Sequence, residues 1–191
     1  MKNVNIMGIS IVDNFLDQKE LVRLQALCLD EQYSGRELDA LPWYYNKNIV
    51  FDNETTGRFQ FNHVFYERCN QGSNYLPSLS PIVDRLKPLA IYRIKANLTT
   101  QVPNIIEYPE NYHIDFVEGT DNLDIWTTSI FYVNTNNGYT KLKDGTIIES
   151  VANRVVSFPA STYHFGTPCT DEKVRIVINF DYIKRSTGLV E

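Results

Sequence analysis

From residue 90 to residue 183 the sequence is a nearly unbroken series of strand signals. AIYRIKANLTT, NYHIDFV, IWTTSIFYVN, GYTKL, TIIESV, NRVVSFP, STYHF and KVRIVINFDYI follow in order, rich in β-branched and aromatic residues. Asn136-Asn137-Gly138 and Asp144-Gly145 read as hairpin turns, the second joining two alternating runs over two residues. So many strands in succession predict a jelly-roll or barrel with helices packed outside it.

The first half supplies those helices. ISIVDNFL, residues 9–16, alternates enough for a first strand. DQKELVRLQALCLD then carries Leu21, Leu24 and Leu27 with charge between them, and Asp17 and Glu20 stand at capping-box spacing, predicting a helix over 18–30. A second helix is expected in SPIVDRLKPLA, with Ser80 as N-cap, Pro81 at the first helical position and Pro88 at its end. The aromatic, turn-rich segment between them predicts short strands near 47–51 and 58–63. The fold class is therefore α+β, mostly β. At 191 residues the chain is expected to be one domain, with 1–89 as helical support and lid and 90–185 as jelly-roll core.

Composition narrows the function classes. The net charge is −5 and no block of Lys and Arg exists, which argues against a duplex nucleic-acid partner. No apolar run is long enough for a membrane span. The start, MKNVNIMGISIVDNF, does not read as a secretory signal. Cys28, Cys69 and Cys169 are odd in number and form no CxxC pair, which suits reduced thiols in a cytoplasm.

Chemistry concentrates at four residues. In NYHIDFVEGTD, a strand would place His113 and Asp115 on one face, two residues apart. His164, in ASTYHFGTPC, offers a third ligand from a later strand. Two imidazoles and one carboxylate on one face suit Fe(II), leaving positions open, and the lack of a thiolate argues against structural zinc. A lone histidine in a strand is more often core or surface, and His-x-Asp also arises by chance. Arg175 strengthens the case. In KVRIVINFDY, Val174, Ile176, Ile178 and Phe180 share one face, and Arg175, Asn179 and Asp181 share the other. In an open sheet that second face is solvent, whereas inside a jelly-roll a guanidinium needs an anion, most often a carboxylate. The turn TPCTDEK allows the strands of His164 and Arg175 to run as neighbours.

The order His-x-Asp, distal His, then a basic residue 11 positions on resembles the Fe(II)/2-oxoglutarate-dependent oxygenases. The chain is most similar to a prolyl-4-hydroxylase-like branch found in phage and marine bacterial proteins. The likeness runs through IVDNFLDQKEL, IYRIKANLTT, YHIDF, SIFYVNTNNGYTKLKDGT and ANRVVSFPASTYHFGTPCTDEKVRIVINFDY. Asn137-Gly138 stands where those hydroxylases usually carry a Gly-Gly pair, and Arg175 where they commonly carry Lys. The resemblance implies a double-stranded β-helix, the cupin-like form of the jelly-roll. It implies Fe(II) on His113, Asp115 and His164, and the distal carboxylate of 2-oxoglutarate on Arg175. The implied reaction consumes O2, releases succinate and CO2, and hydroxylates a C–H bond.

Secondary candidates follow. Tyr92 and Asn97 lie on the strand that passes over the co-substrate in such folds, although Tyr92 suits a core tyrosine equally well. Thr99 and Tyr132 are weaker candidates. Arg154 reads better as a structural ion pair, Asn179 as support for the site or as rim, and His63 as hydrogen-bonded structure. Trp43, Tyr44 and Tyr45 suit packing onto the barrel, with substrate contact by Trp43 and Tyr45 as the alternative. Glu118, Asp121 and Asp124 read as a solvated loop. The expected partner is a peptide or small-molecule substrate, with a prolyl side chain first. The rival functions are a nucleobase-modifying oxygenase and a non-catalytic cupin-like binding protein.

Overall fold

Strand order explains how so many strands are accommodated. The computed structural model describes residues 3–6, 8–29, 40–49, 58–116 and 121–185. Its first part holds β1 (Asn3–Ile6), β2 (Ile9–Val12), α1 (Gln18–Leu29), β3 (Tyr44–Asn46), β4 (Gln60–Glu67), β5 (Asn70–Gln71) and α2 (Ser80–Leu86). The second part holds β6 (Pro88–Thr100), β7 (Trp126–Tyr132), β8 (Tyr139–Leu142), β9 (Ile147–Glu149), β10 (Arg154–Pro159), β11 (His164–Gly166) and β12 (Val174–Lys184). The large sheet runs β1-β2-β10-β7-β12-β6-β4-β3, with β5 on β4, and a smaller sheet runs β11-β8-β9. From β7 onward the chain passes to the small sheet for β8 and β9, back for β10, across for β11 and back for β12. This winding is a double-stranded β-helix, and every pairing is antiparallel.

The two faces of the large sheet bury different things. On the outer face Phe65, Ile94, Ala96, Phe131, Ile178 and Phe180 meet Leu21, Leu24 and Leu27 of α1 and Ile82 of α2. Burying a side chain of this size contributes about 1.5–3 kcal/mol, so this layer is a main source of stability. On the inner face Ile130, Tyr132, Val156, Phe158 and Val177 pack against Leu142 and Ile148 of the small sheet. The inner face is apolar at one end and polar at the other, and the polar end forms the site.

Local signals act as expected in α1. Asp17 Oδ1 accepts the Glu20 amide at 2.9 Å, and Glu20 Oε2 accepts the Asp17 amide at 3.1 Å. Other expectations need correction. Ser80 is not an N-cap, because the 3-10 turn Leu76–Leu79 leads straight into α2 and Leu79 holds that position. Lys87, at φ 51°, ends the helix, and β6 begins at Pro88 itself. The short strands fall at 44–46 and 60–67, and a hairpin partner, β1, precedes β2. Asn136–Gly138 is a crossing between sheets, since β7 pairs with β10 and β12 and not with β8. Asp144-Gly145 does close the β8–β9 hairpin, with Gly145 at φ 93° and Leu142 N–H bonded to Thr146 O at 2.9 Å. Residues 111–116 of the expected strand NYHIDFV do not form one: His113 makes an isolated bridge and Asp115 lies in a bend, while Val117 lies outside the described residues. β11 and β12 are in different sheets and face each other across the interior.

Candidate metal centre

The convergence of His113 and His164 is set by the backbone. His113 N–H donates to His164 O at 3.1 Å and His164 N–H to His113 O at 3.0 Å. This two-bond exchange puts the rings side by side, with centroids 4.9 Å apart. Each ring is oriented by the carbonyl two residues before it. Nδ1 of His113 lies 2.9 Å from Asn111 O, and Nδ1 of His164 lies 3.1 Å from Thr162 O. A carbonyl can only accept, so each Nδ1 carries a hydrogen and Nε2 is the ligating nitrogen of each neutral ring.

Asp115 completes the set, with Oδ2 3.5 Å from His164 Nε2. One ligand atom from each of the three residues falls within 4.8 Å of the others. Neutral imidazoles with a carboxylate fit Fe(II) or a similar divalent ion, and both rings are oriented by their Nδ1 hydrogen bonds to ligate through Nε2. Burial, helped by the neighbouring His164, lowers His113 to about 4. Burial acts the same way on His164, but the Asp115 carboxylate outweighs it and raises His164 above its ordinary 6.5. Asp115 stays well below the usual carboxylate range because Arg93 and the two histidines overcome its burial.

Arg93 is the functional residue that sequence reasoning missed. Its Nη2 donates to Asp115 Oδ1 at 2.6 Å, and its Nε donates to Asp181 Oδ2 at 3.1 Å. Thr128 Oγ1–H donates to Asp181 Oδ1 at 2.9 Å. The second oxygen of Asp115 accepts Asn179 Nδ2–H at 3.0 Å. Burial and the nearby Asp115 push Asp181 up to about 7, against the pull of Arg93. The available signal was parity: Arg93, Lys95, Asn97 and Thr99 share one face of β6, opposite Asp181, Asn179, Val177 and Arg175 in that order.

His113, Asp115 and His164 share one cleft with Lys95, Asn97 and Thr99 of β6 and Arg175, Val177 and Asn179 of β12. Arg175 lies in its wall, 4% exposed. Its Nε–H reaches Ser150 Oγ at 2.7 Å, its Nη2–H reaches Thr140 Oγ1 at 3.1 Å, and its guanidinium stands over the Tyr132 ring at 5.7 Å. Among the described residues no carboxylate pairs with it. Burial lowers its hold on the proton, which Tyr132 and Cys169 oppose without supplying a resident anion. A Cβ on Gly138 would stand 2.7 Å from Arg175 Cδ, and one on Gly166 would stand 3.2 Å from its Nη1, so both glycines make room for the side chain. Asn97 Oδ1, Thr99 Oγ1 and Asn179 Oδ1 are buried at the cleft without partners. A buried cation without a resident anion fits a carboxylate, to which the Thr99 hydroxyl could also donate, whereas the two orphaned amide oxygens call for donors.

The other sequence candidates lie elsewhere. Tyr92 is the extra residue where the β6–β12 register jumps from Asp181↔Arg93 to Tyr182↔Ile91. Its ring stacks on Phe116 at 4.7 Å and its hydroxyl accepts Arg68 Nε–H at 3.3 Å, so it does not line the cleft. Tyr132 is fully buried and donates to Thr140. Trp43 packs against the outer core, while Tyr44 and Tyr45 are 61% and 65% exposed at the sheet edge; none lines the cleft. Arg154 pairs with Asp13 at 2.6 Å, and His63 is bonded to Pro42 O and Ser73 Oγ. Asp121 and Asp124 are exposed, and Glu118 lies outside the described residues.

No family model and no curated protein matches the sequence. Solved structures do match the fold. An oxidoreductase of the 2OG-Fe(II) oxygenase family from Burkholderia pseudomallei aligns at TM-score 0.57 and 14% identity, over 92% of this chain and 85% of that one. A prolyl hydroxylase from Trichoplax adhaerens, solved with a hypoxia inducible factor peptide fragment, aligns at TM-score 0.53 and 13% identity, over 93% and 84%. A Pseudomonas putida prolyl-4-hydroxylase aligns at TM-score 0.50 and 17% identity, over 94% of both chains. The chain shares their fold. Among the described residues no helix is long and apolar enough to cross a membrane.

Proposed function

We propose that the protein is an Fe(II)- and 2-oxoglutarate-dependent oxygenase that hydroxylates an unactivated C–H bond of a peptidyl side chain or a small molecule. The observation that carries this reading is one cleft holding both a His-Asp-His ligand set and a buried arginine with no resident anion. His113, Asp115 and His164 hold the iron, which when bound supplies dioxygen activation coupled to decarboxylation of 2-oxoglutarate to succinate and CO2. Arg175 holds the distal carboxylate, supported by Thr140 and Ser150, with Thr99 and the Asn97 amide alongside. Val177 and Ile130 give the wall an apolar stretch that limits water around the reactants. Arg93 and Asn179 fix Asp115 in place, so the protein's part is orientation and exclusion. Three thiols outside any disulfide support a cytoplasmic setting.

The test begins without oxygen. Fe(II) and then 2-oxoglutarate are added anaerobically and metal-to-ligand charge-transfer absorption is followed. Oxygen is then admitted and succinate is measured. A screen of peptides, nucleotides and metabolites for stimulated succinate release, with mass spectrometry of the product, identifies the substrate class. Absence of the absorption in a folded protein that binds Fe(II) overturns the reading.

A further inference from the structure

Lys95 is the cation of this cleft that the oxygenase reading leaves unused. It lines the cleft from β6, partly buried, and its ammonium has no hydrogen-bond or ion-pair partner among the described residues. Its neighbour on β6 toward the metal ligands, Arg93, is fully engaged by Asp115 and Asp181. Directly across the ladder stands Asn179. Asp115 only accepts, so the Asn179 amide nitrogen must face it, and Oδ1 is turned away, buried and without a donor. A free cation and a free acceptor therefore stand on paired residues, about 5 Å apart between Cα atoms.

The pair is separate from the co-substrate end. Arg175 pairs with Thr99, and Lys95 with Asn179, four residues along the same strands. At roughly 3.3 Å per residue this is about 13 Å of ladder, and Arg175 is tethered by Ser150 and Thr140. Arg175 is thereby held at the far end of the ladder, and Lys95 remains as a second cation of the same cleft.

We propose that Lys95 and Asn179 Oδ1 recognise the molecule to be oxidised, and that it carries a carboxylate next to an N–H donor, the pattern of an α-amino acid. The inference rests on the oxygenase reading. Lys95 takes the carboxylate, Asn179 Oδ1 takes the N–H, and the carbon skeleton lies toward the metal ligands. Asp115, already bonded to Asn179, couples this recognition to the centre itself.

The experiment uses the full chain with Fe(II) and 2-oxoglutarate under argon. The twenty free L-amino acids are titrated in while the charge-transfer absorption is followed, and succinate release is measured after oxygen is admitted. At least one amino acid is expected to perturb the absorption and stimulate release. Its carboxamide, and its analogue with the amino group replaced by hydrogen, are each expected to bind about ten- to a hundredfold more weakly. Lys95→Met is expected to remove the preference for carboxylate over carboxamide while the 2-oxoglutarate dissociation constant stays within about twofold; Lys95→Arg is expected to restore part of that preference. The proposal is overturned if Lys95→Met keeps the preference, if it weakens 2-oxoglutarate instead, or if doubly capped peptides or nucleotides are bound and free amino acids are not. Failure to form the charge-transfer complex at all overturns the oxygenase reading, and this proposal with it.

Discussion

Removing Arg93 is the sharpest probe of how the centre is held. Its side chain, 15% exposed, serves two carboxylates that are 6% and 0% exposed. Arg93→Met keeps much of the stem volume and deletes the charge, leaving Asp115 and Asp181 facing each other without a cation. Removing one partner of a buried pair costs roughly 3–5 kcal/mol, a large share of a typical 5–15 kcal/mol total. The cost depends on pH. Asp181 sits at about 7 in the folded chain against an ordinary 3.8, so folding takes up a proton between those values. Its contribution is fully present below 3.8 and is lost as pH rises through about 7. Without Arg93 the folded value climbs further, so the penalty of the variant grows between pH 5 and pH 8. Urea unfolding of the metal-free protein at several pH values measures this. Asp181→Asn added to Arg93→Met is expected to recover part of the loss. An excess of Mn(II) is expected to do the same, because the ion replaces the guanidinium beside Asp115. A loss below about 1 kcal/mol at pH 8, or one that does not change with pH, refutes the account of Arg93 as the clamp of a buried acidic pair.

Three further outcomes are expected. Arg175→Ala raises the 2-oxoglutarate dissociation constant about ten- to a hundredfold and leaves Fe(II) binding nearly intact, read by anaerobic charge-transfer titration. Gly138→Ala forces a Cβ to 2.7 Å from both Arg175 Cδ and the rigid Pro168 carbonyl, so it destabilises the fold by about 1–3 kcal/mol and weakens 2-oxoglutarate, seen by urea unfolding and the same titration. Divalent-ion affinity, measured calorimetrically, rises with pH above 6.5, because Asp115 raises His164 and the ion must displace that proton; the stability His164 adds to the metal-free protein is lost over the same rise, and His164→Ala abolishes both effects.

Much of this was legible in the residues themselves. The strand succession, the α1 capping box and the parity of β12 each correspond to an observed element, because each is a local pattern that the fold reinforces. The segment around His113 was legible for a different reason than its pattern suggested. Its alternation predicts a strand, yet its residues pair at a single bridge, and carbonyls at Asn111 and Thr162 do the orienting. Tyr92 was misplaced because its parity is opposite to that of the inward row Arg93, Lys95, Asn97 and Thr99, and the bulge at its own position ends that row. Arg93 was hidden because its meaning depends on Asp115 and Asp181, 22 and 88 residues away. The switch of sheets at Asn136–Gly138 was read as a hairpin because both kinds of crossing use the same turn chemistry.

The backbone bridge between His113 and His164 also dictates when the centre can exist. Joining those two residues closes a loop of about fifty residues, whose entropy must be offset by contacts made elsewhere first. β7, β10 and β12 supply those contacts, through ladders that link distant parts of the chain. Such topologies fold slowly, and their long-range pairs form cooperatively. The ligand set is therefore a product of completed winding and cannot serve as its nucleus. A divalent ion present during refolding should slow unfolding without speeding folding.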